Sequence, residues 1–113
     1  MAEKEELIRE FEKHAFRMAE GDINYLNDNK KHIRDLIKEL GSQQEGKVAE
    51  LMLSASSQIA SMKKSGRWDE NAGNNYDKFC EQIKRMIPKE AGYKIPDRNK
   101  AKEILKSKGI IKA

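Results

Sequence analysis

Residues 48–62 read VAELMLSASSQIASM, and this stretch has the clearest structural signal in the chain. Its apolar residues recur at steps of three, one, three, four and three, which places them on one face of an α-helix. The residues on this face are Val48, Leu51, Met52, Ala55, Ile59 and Met62. Ser42 and Glu45 have the capping-box spacing, which predicts that the helix begins beside them. Gly66 is expected to end it.

The same periodicity appears on both sides of this segment. It predicts further helices over about 2–20, 22–40, 69–87 and 97–108. Asp22, Asp69 and Asp97 are candidate N-caps. The second helix has an alternative start near Asn29, with 21–28 as a loop, because short polar side chains compete for backbone groups there. A cluster of Asn and Gly at 71–75 weakens the first turn of the fourth helix, whose stable part is expected to begin near Asn75.

These segments predict an all-α fold. We expect a small antiparallel bundle of three to four helices over 1–87, a proline-bracketed linker over 88–96, and a short basic C-terminal helix over 97–113 packed on the same domain. The apolar stripes are narrow and many of their residues are Ala or Met. We therefore expect marginal stability for the isolated chain, with a partner completing the burial.

Composition excludes several classes of protein. The chain has 113 residues, the size of one domain, and 37% of them are charged. No run of 18 apolar residues and no N-terminal signal sequence is visible, so no membrane association is expected. The single cysteine cannot form an intramolecular disulfide, and a cytoplasmic protein is predicted.

No combination of residues predicts catalysis or a metal site. His14 and His32 lack the glutamate three residues earlier that a di-iron bundle uses, and both are expected at the solvent edge of their helices. Cys80 lies in an apolar stripe, where a free cysteine acts as a small hydrophobic residue. The seven glycines are isolated, so no phosphate loop is present. The sequence predicts a protein that is not an enzyme and has no cofactor, metal or small-molecule substrate.

Charge is divided unevenly along the chain. Residues 1–62 hold 9 Lys and Arg against 12 Asp and Glu, a net of −3, whereas residues 63–113 hold 14 against 7, a net of +7. A basic segment of this kind is typical of a protein that binds a polyanion, although it also occurs as a solvated, Lys-rich surface.

The leading hypothesis is therefore a small helical subunit of a nucleoprotein complex, which binds the DNA or RNA backbone with little sequence specificity. The predicted contacts are Lys84, Arg85, Lys89, Lys94, Arg98, Lys100 and Lys102, with a second patch formed by Lys63, Lys64 and Arg67. Trp68 either stacks on a base or closes the end of the bundle. The alternative hypothesis is a protein–protein adaptor, or an inhibitor or immunity-type partner, whose interface is the acidic first half or an exposed Met52/Met62 surface.

Overall fold

A computed structural model describes residues 3–112 of the chain. Its elements are α1 (Lys4–Ala19), α2 (Ile23–Asp28), α3 (Lys30–Glu39), α4 (Glu45–Ser65), α5 (Glu70–Met86), a 3₁₀ turn (Lys89–Ala91) and α6 (Arg98–Ser107). The described residues form no β-strand, so the predicted all-α fold is confirmed. No helix in this part of the chain is both long and apolar enough to span a bilayer.

Helix α4 is the centre of the molecule. It packs against α1, α2, α3 and most extensively α5. All six apolar residues of its predicted face are buried, as the spacing indicated. The helix ends at Gly66, which adopts the left-handed conformation (φ +73°) that glycine tolerates best.

The second predicted helix is divided into α2 and α3. The Asp22 side chain accepts a hydrogen bond from the Tyr25 backbone N–H at 3.1 Å, so the predicted cap is confirmed and helix forms where the alternative prediction placed a loop. The break falls at Asn29, whose side chain donates to the Tyr25 carbonyl at 2.8 Å and so competes with the helical hydrogen bonds.

The predicted capping box at Ser42 is wrong. The Ser42 backbone N–H donates to the Ile37 carbonyl at 3.2 Å, which makes Ser42 part of the C-terminal cap of α3. Its hydroxyl accepts from the Gln44 backbone N–H, and Gln44 occupies the N-cap position of α4. Helix α4 therefore begins later than a capping box at Ser42 would require.

The caps predicted for the last two helices are confirmed. Asp69 accepts from the Ala72 backbone N–H at 3.0 Å and Asp97 accepts from that of Lys100 at 2.9 Å. Helix α5 begins directly after Asp69, so the expected late start near Asn75 is wrong. The polar and glycine residues of the first turn are tolerated because the turn packs against Trp68, whose ring lies over Gly73.

The segment 88–96 is packed along α1. Ala91 is buried, and the Tyr93 ring meets the Phe11 ring edge to face at 5.4 Å. The Lys94 backbone N–H donates to the Glu12 carboxylate at 2.8 Å. These contacts, together with those of α6 with α1 and α5, attach the C-terminal part of the chain to the bundle.

The core buries more of the apolar surface than the narrow stripes indicated. Phe16, 41% exposed, is the one large hydrophobic side chain classed as exposed among residues 3–112. Met52 and Met62 are each 1% exposed, so the predicted Met52/Met62 interface is wrong: both side chains fill the core around α4. The described residues therefore leave no continuous exposed apolar stripe.

Candidate functional site

Two features of the structure have the chemistry of a binding site: a group of cations at one end of the bundle and a histidine cluster between α1 and α3. At the cationic end, the loop after α4 approaches the chain that follows α6. A Cβ built on Gly66 would lie 3.8 Å from the Ile110 carbonyl oxygen. We call the cations of these two segments the basic end; they are Lys63, Lys64, Arg67, Lys106, Lys108 and Lys112.

Most cations of the basic end have no acidic partner. Lys108 forms an ion pair of 2.7 Å with Glu20, a carboxylate that is itself largely buried. The other five form no ion pair with any residue in the described range 3–112. Because unneutralised like charges add their potentials, a positive potential is expected at this end of the molecule.

Trp68 closes the bundle beside the basic end. Its ring packs against Gly73, and the Lys102 ammonium lies 5.6 Å from the ring centre. Lys102 and Arg98 also pair with Glu70, at 3.9 and 2.8 Å. The structure therefore brings Lys102 to Trp68, and the Glu70 carboxylate offsets the charge of both Lys102 and Arg98.

The remaining predicted contacts lie elsewhere. Lys84 and Arg85 lie in the last turn of α5, about 20 Å from its first turn at 1.5 Å per residue, and Lys89 follows in the 3₁₀ turn. Lys84 and Lys89 line a shallow depression with Tyr93. Lys94 lies on the segment that packs along α1, and Lys100 pairs with Glu103 at 3.8 Å. The contacts predicted between Lys84 and Lys102 thus do not form one continuous basic surface.

The histidine cluster was not predicted from the sequence. Glu10 and His14 lie one turn apart on α1 and face His32 on α3. One ligand atom from each of the three residues lies within 4.8 Å of the others. The His32 ring nitrogen Nε2 is 2.6 Å from a Glu10 carboxylate oxygen, and the two imidazole rings are 5.5 Å apart.

His14 is 3% exposed, so its expected solvent-edge position is wrong, whereas His32 is exposed as predicted. Nδ1 of His14 lies 2.9 Å from the Tyr25 hydroxyl, but the buried Nε2 has no hydrogen-bond partner among the described residues. Burial, followed by the nearby His32 charge, lowers the His14 pKa from 6.5 to about 4. His14 is therefore neutral at physiological pH, the form of imidazole that binds metals.

The signal missed in the sequence is the four-residue spacing between Glu10 and His14. A search for Glu-x-x-His alone overlooks it, although residues four apart lie on the same helix face. The third residue could not be found in the same way, because His32 reaches the cluster only through the packing of α3 on α1.

The chain was also compared with known proteins. None of the protein-family models, curated proteins or solved structures compared with it gives a match. A functional assignment therefore depends on the side chains of the two sites described above.

Proposed function

We propose that this protein is a non-enzymatic helical subunit that binds the backbone of nucleic acid through the basic end, as part of a larger, cytoplasmic nucleoprotein complex. The observation that supports the proposal is that two cation-rich chain segments about 40 residues apart approach each other at Gly66 and Ile110, and that five of their six cations have no acidic partner within residues 3–112.

The chemistry of these side chains favours phosphate over base recognition. Five of the six cations are lysines, which contact phosphate as point charges and lack the fixed bidentate geometry of arginine. No described helix is rich in arginine, since each carries at most two. Little sequence specificity is therefore expected, together with a strong dependence on salt, because each neutralised phosphate releases counterions.

The proposal changes the set of contacts that the sequence suggested. Lys63, Lys64 and Arg67 become the principal contacts, joined by Lys106 in the last turn of α6 and by Lys108 and Lys112 after it. Lys84, Arg85 and Lys89 lie at the opposite end of α5 and are not expected to contact the same length of backbone.

The test compares two triple variants that remove the same charge. Lys63→Gln/Lys64→Gln/Arg67→Gln changes the basic end, and Lys84→Gln/Arg85→Gln/Lys89→Gln is the matched control. Fluorescence anisotropy with labelled single- and double-stranded oligonucleotides measures Kd at about 50 and 200 mM salt. Affinity that comes from phosphate contacts falls steeply between these two concentrations. Circular dichroism verifies that both variants are folded.

We expect the basic-end variant to bind at least about tenfold more weakly and to reduce the salt slope by about two to three, roughly one per lost phosphate contact. The control should bind within about threefold of the natural chain if its three cations make no phosphate contact. Absence of binding at low salt, or equal losses in both variants, would contradict the proposal.

The alternative hypothesis, a protein–protein adaptor or inhibitor, has less support than the nucleic-acid hypothesis. Its methionine surface is buried, and the remaining exposed apolar anchor is Phe16, beside a shallow groove formed with α6. A single exposed phenylalanine is common on protein surfaces. A stoichiometric protein complex that survives nuclease treatment and is lost in Phe16→Ala would favour this alternative.

A further inference from the structure

We propose that Glu10, His14 and His32 form a binding site for one divalent transition-metal ion of the class represented by Zn²⁺. The site is independent of the proposed nucleic-acid function. Two imidazoles and one carboxylate are a donor set that zinc and neighbouring first-row metals bind, whereas Mg²⁺ and Ca²⁺ prefer oxygen ligands alone.

The unpartnered Nε2 of His14 is the first argument for a ligand. The atom is buried, and leaving a buried ring nitrogen unpaired costs free energy that native proteins generally avoid. Nε2 is the nitrogen that this ring has left for a ligand, because Nδ1 contacts the Tyr25 hydroxyl, and one ligand atom from each of the three residues lies within 4.8 Å of the others. A metal ion at their centre would satisfy it.

The second argument is the position of Tyr25. Its hydroxyl contacts Nδ1 of His14 at 2.9 Å and so fixes the orientation of the ring. If Nδ1 bears the proton and donates it to the Tyr25 oxygen, the lone pair of Nε2 is left for the metal. Metal-binding histidines commonly have such an outer hydrogen bond, which sets the tautomer.

The exposed donors must move to fit a tetrahedral ion, because the three ligand atoms are now spread over distances of up to 4.8 Å. Ligands about 2.0–2.1 Å from a tetrahedral zinc ion are about 3.3 Å from one another. The Glu10 oxygen and His32 nitrogen, now 2.6 Å apart, must separate slightly, and both side chains are about half exposed and free to turn. His14 is fixed by the core.

Three protein donors leave the fourth position of a tetrahedral ion open. The position faces solvent, because Glu10 and His32 form the exposed side of the cluster. A water molecule is the expected fourth ligand. The ion would cross-link α1 to α3 and stabilise the folded chain, because the unfolded chain does not hold the three donors together.

The experiment uses the untagged full chain after removal of metals with a chelator. Zn²⁺ is titrated by calorimetry, and Co²⁺ is added separately so that its visible absorption reports the coordination. We expect one ion per chain, a micromolar or tighter Kd, and a higher Tm with Zn²⁺. Ca²⁺ should produce none of these effects.

His32→Ala is the decisive variant, since removing an exposed side chain leaves the core intact. It should weaken Zn²⁺ binding at least about a hundredfold. Loss of a residue that only hydrogen-bonds a metal ligand costs about 10–100-fold. Glu10→Gln should also weaken binding. Glu5→Gln, which removes an exposed carboxylate from the same helix away from the cluster, should bind like the natural chain.

Two results would overturn the proposal. One is Zn²⁺ binding of the natural chain that is no tighter than that of His32→Ala. The other is an equal loss of affinity in Glu5→Gln and Glu10→Gln, which would indicate general attraction to acidic side chains. Folding of each variant is checked by circular dichroism before titration.

Discussion

The hydroxyl of Tyr25 lies 2.9 Å from Nδ1 of the buried His14. This contact connects α2 to α1 and leaves Nε2 as the nitrogen of His14 without a partner among the described residues. Tyr25 is held in turn by the Arg17 guanidinium, 5.0 Å from the centre of its ring. The short helix α2, begun by its Asp22 cap, thus positions the residue that orients His14.

Replacing Tyr25 with phenylalanine should reduce the affinity for Zn²⁺ by about 10–100-fold, because the outer hydrogen bond of His14 is lost. The metal-free variant should lose about 1–3 kcal/mol of unfolding free energy, since a buried ring nitrogen is left unpaired. Zinc calorimetry and urea denaturation measure the two effects. A variant that binds Zn²⁺ as tightly as the natural chain would show that Tyr25 does not orient the ligand.

Gly21→Ala should destabilise the fold by more than about 2 kcal/mol. The residue has φ +73°, where an L side chain costs about 1–2 kcal/mol. A Cβ would also lie 2.8 Å from the backbone nitrogen of Ala60, so the end of α1 would have to move away from α4. Urea denaturation monitored by circular dichroism measures the change.

Two other glycines distinguish the cost of the left-handed backbone from the cost of the close approach to Ala60. Gly109 has φ +72° but open space around its Cβ position, so Gly109→Ala should cost only about 1–2 kcal/mol. Gly46 lies in the first turn of α4 with nothing within 4 Å, and Gly46→Ala should stabilise the chain by about 0.5–1 kcal/mol. Equal effects at Gly21 and Gly109 would contradict the close approach to Ala60.

Trp68→Ala should lower stability without weakening nucleic-acid binding. The ring is partly buried against Gly73, so the loss should be about 2 kcal/mol, below the 3–5 kcal/mol of a fully buried tryptophan. Base stacking would instead contribute about 1–3 kcal/mol per base to binding. Urea denaturation and oligonucleotide anisotropy, measured on the folded variant, distinguish the two roles; a tenfold loss of affinity would favour stacking.

Stability should fall at alkaline pH partly because of Cys80. Burial raises the pKa of its thiol from 9.0 to about 12 in the folded chain. The unfolded thiol ionises near pH 9, whereas the folded thiol stays protonated. The contribution of Cys80 to the free energy of unfolding is therefore complete below pH 9 and is lost as the pH rises to 12.

The stability advantage of the natural chain over Cys80→Ala should therefore shrink by about 2 kcal/mol between about pH 8.5 and 10.5. Urea denaturation of both proteins at each pH measures it. A constant difference would contradict burial of the protonated thiol. At the lower pH, alkylating reagents should modify Cys80 only when the chain opens.

Local chemistry explains which elements could be predicted from the sequence. The caps at Asp22, Asp69 and Asp97 depend on hydrogen bonds spanning three residues, and all three are present. The cap predicted at Ser42 is wrong because the Ser42 backbone N–H donates to the Ile37 carbonyl and so belongs to the end of α3. Two local signals competed there, and sequence spacing does not reveal which one prevails.

The candidate sites depend on distances that the linear sequence does not contain. Apolar spacing by itself determined the helices and the central face of α4, because burial of a stripe needs only a 3.6-residue period. Tertiary packing decided that Gly66 lies near Ile110, that Lys84 lies far from Lys63, and that His32 meets His14. The physical reason is that charge and ligand chemistry act over a few ångströms of space, and only the packed chain sets which residues are that close.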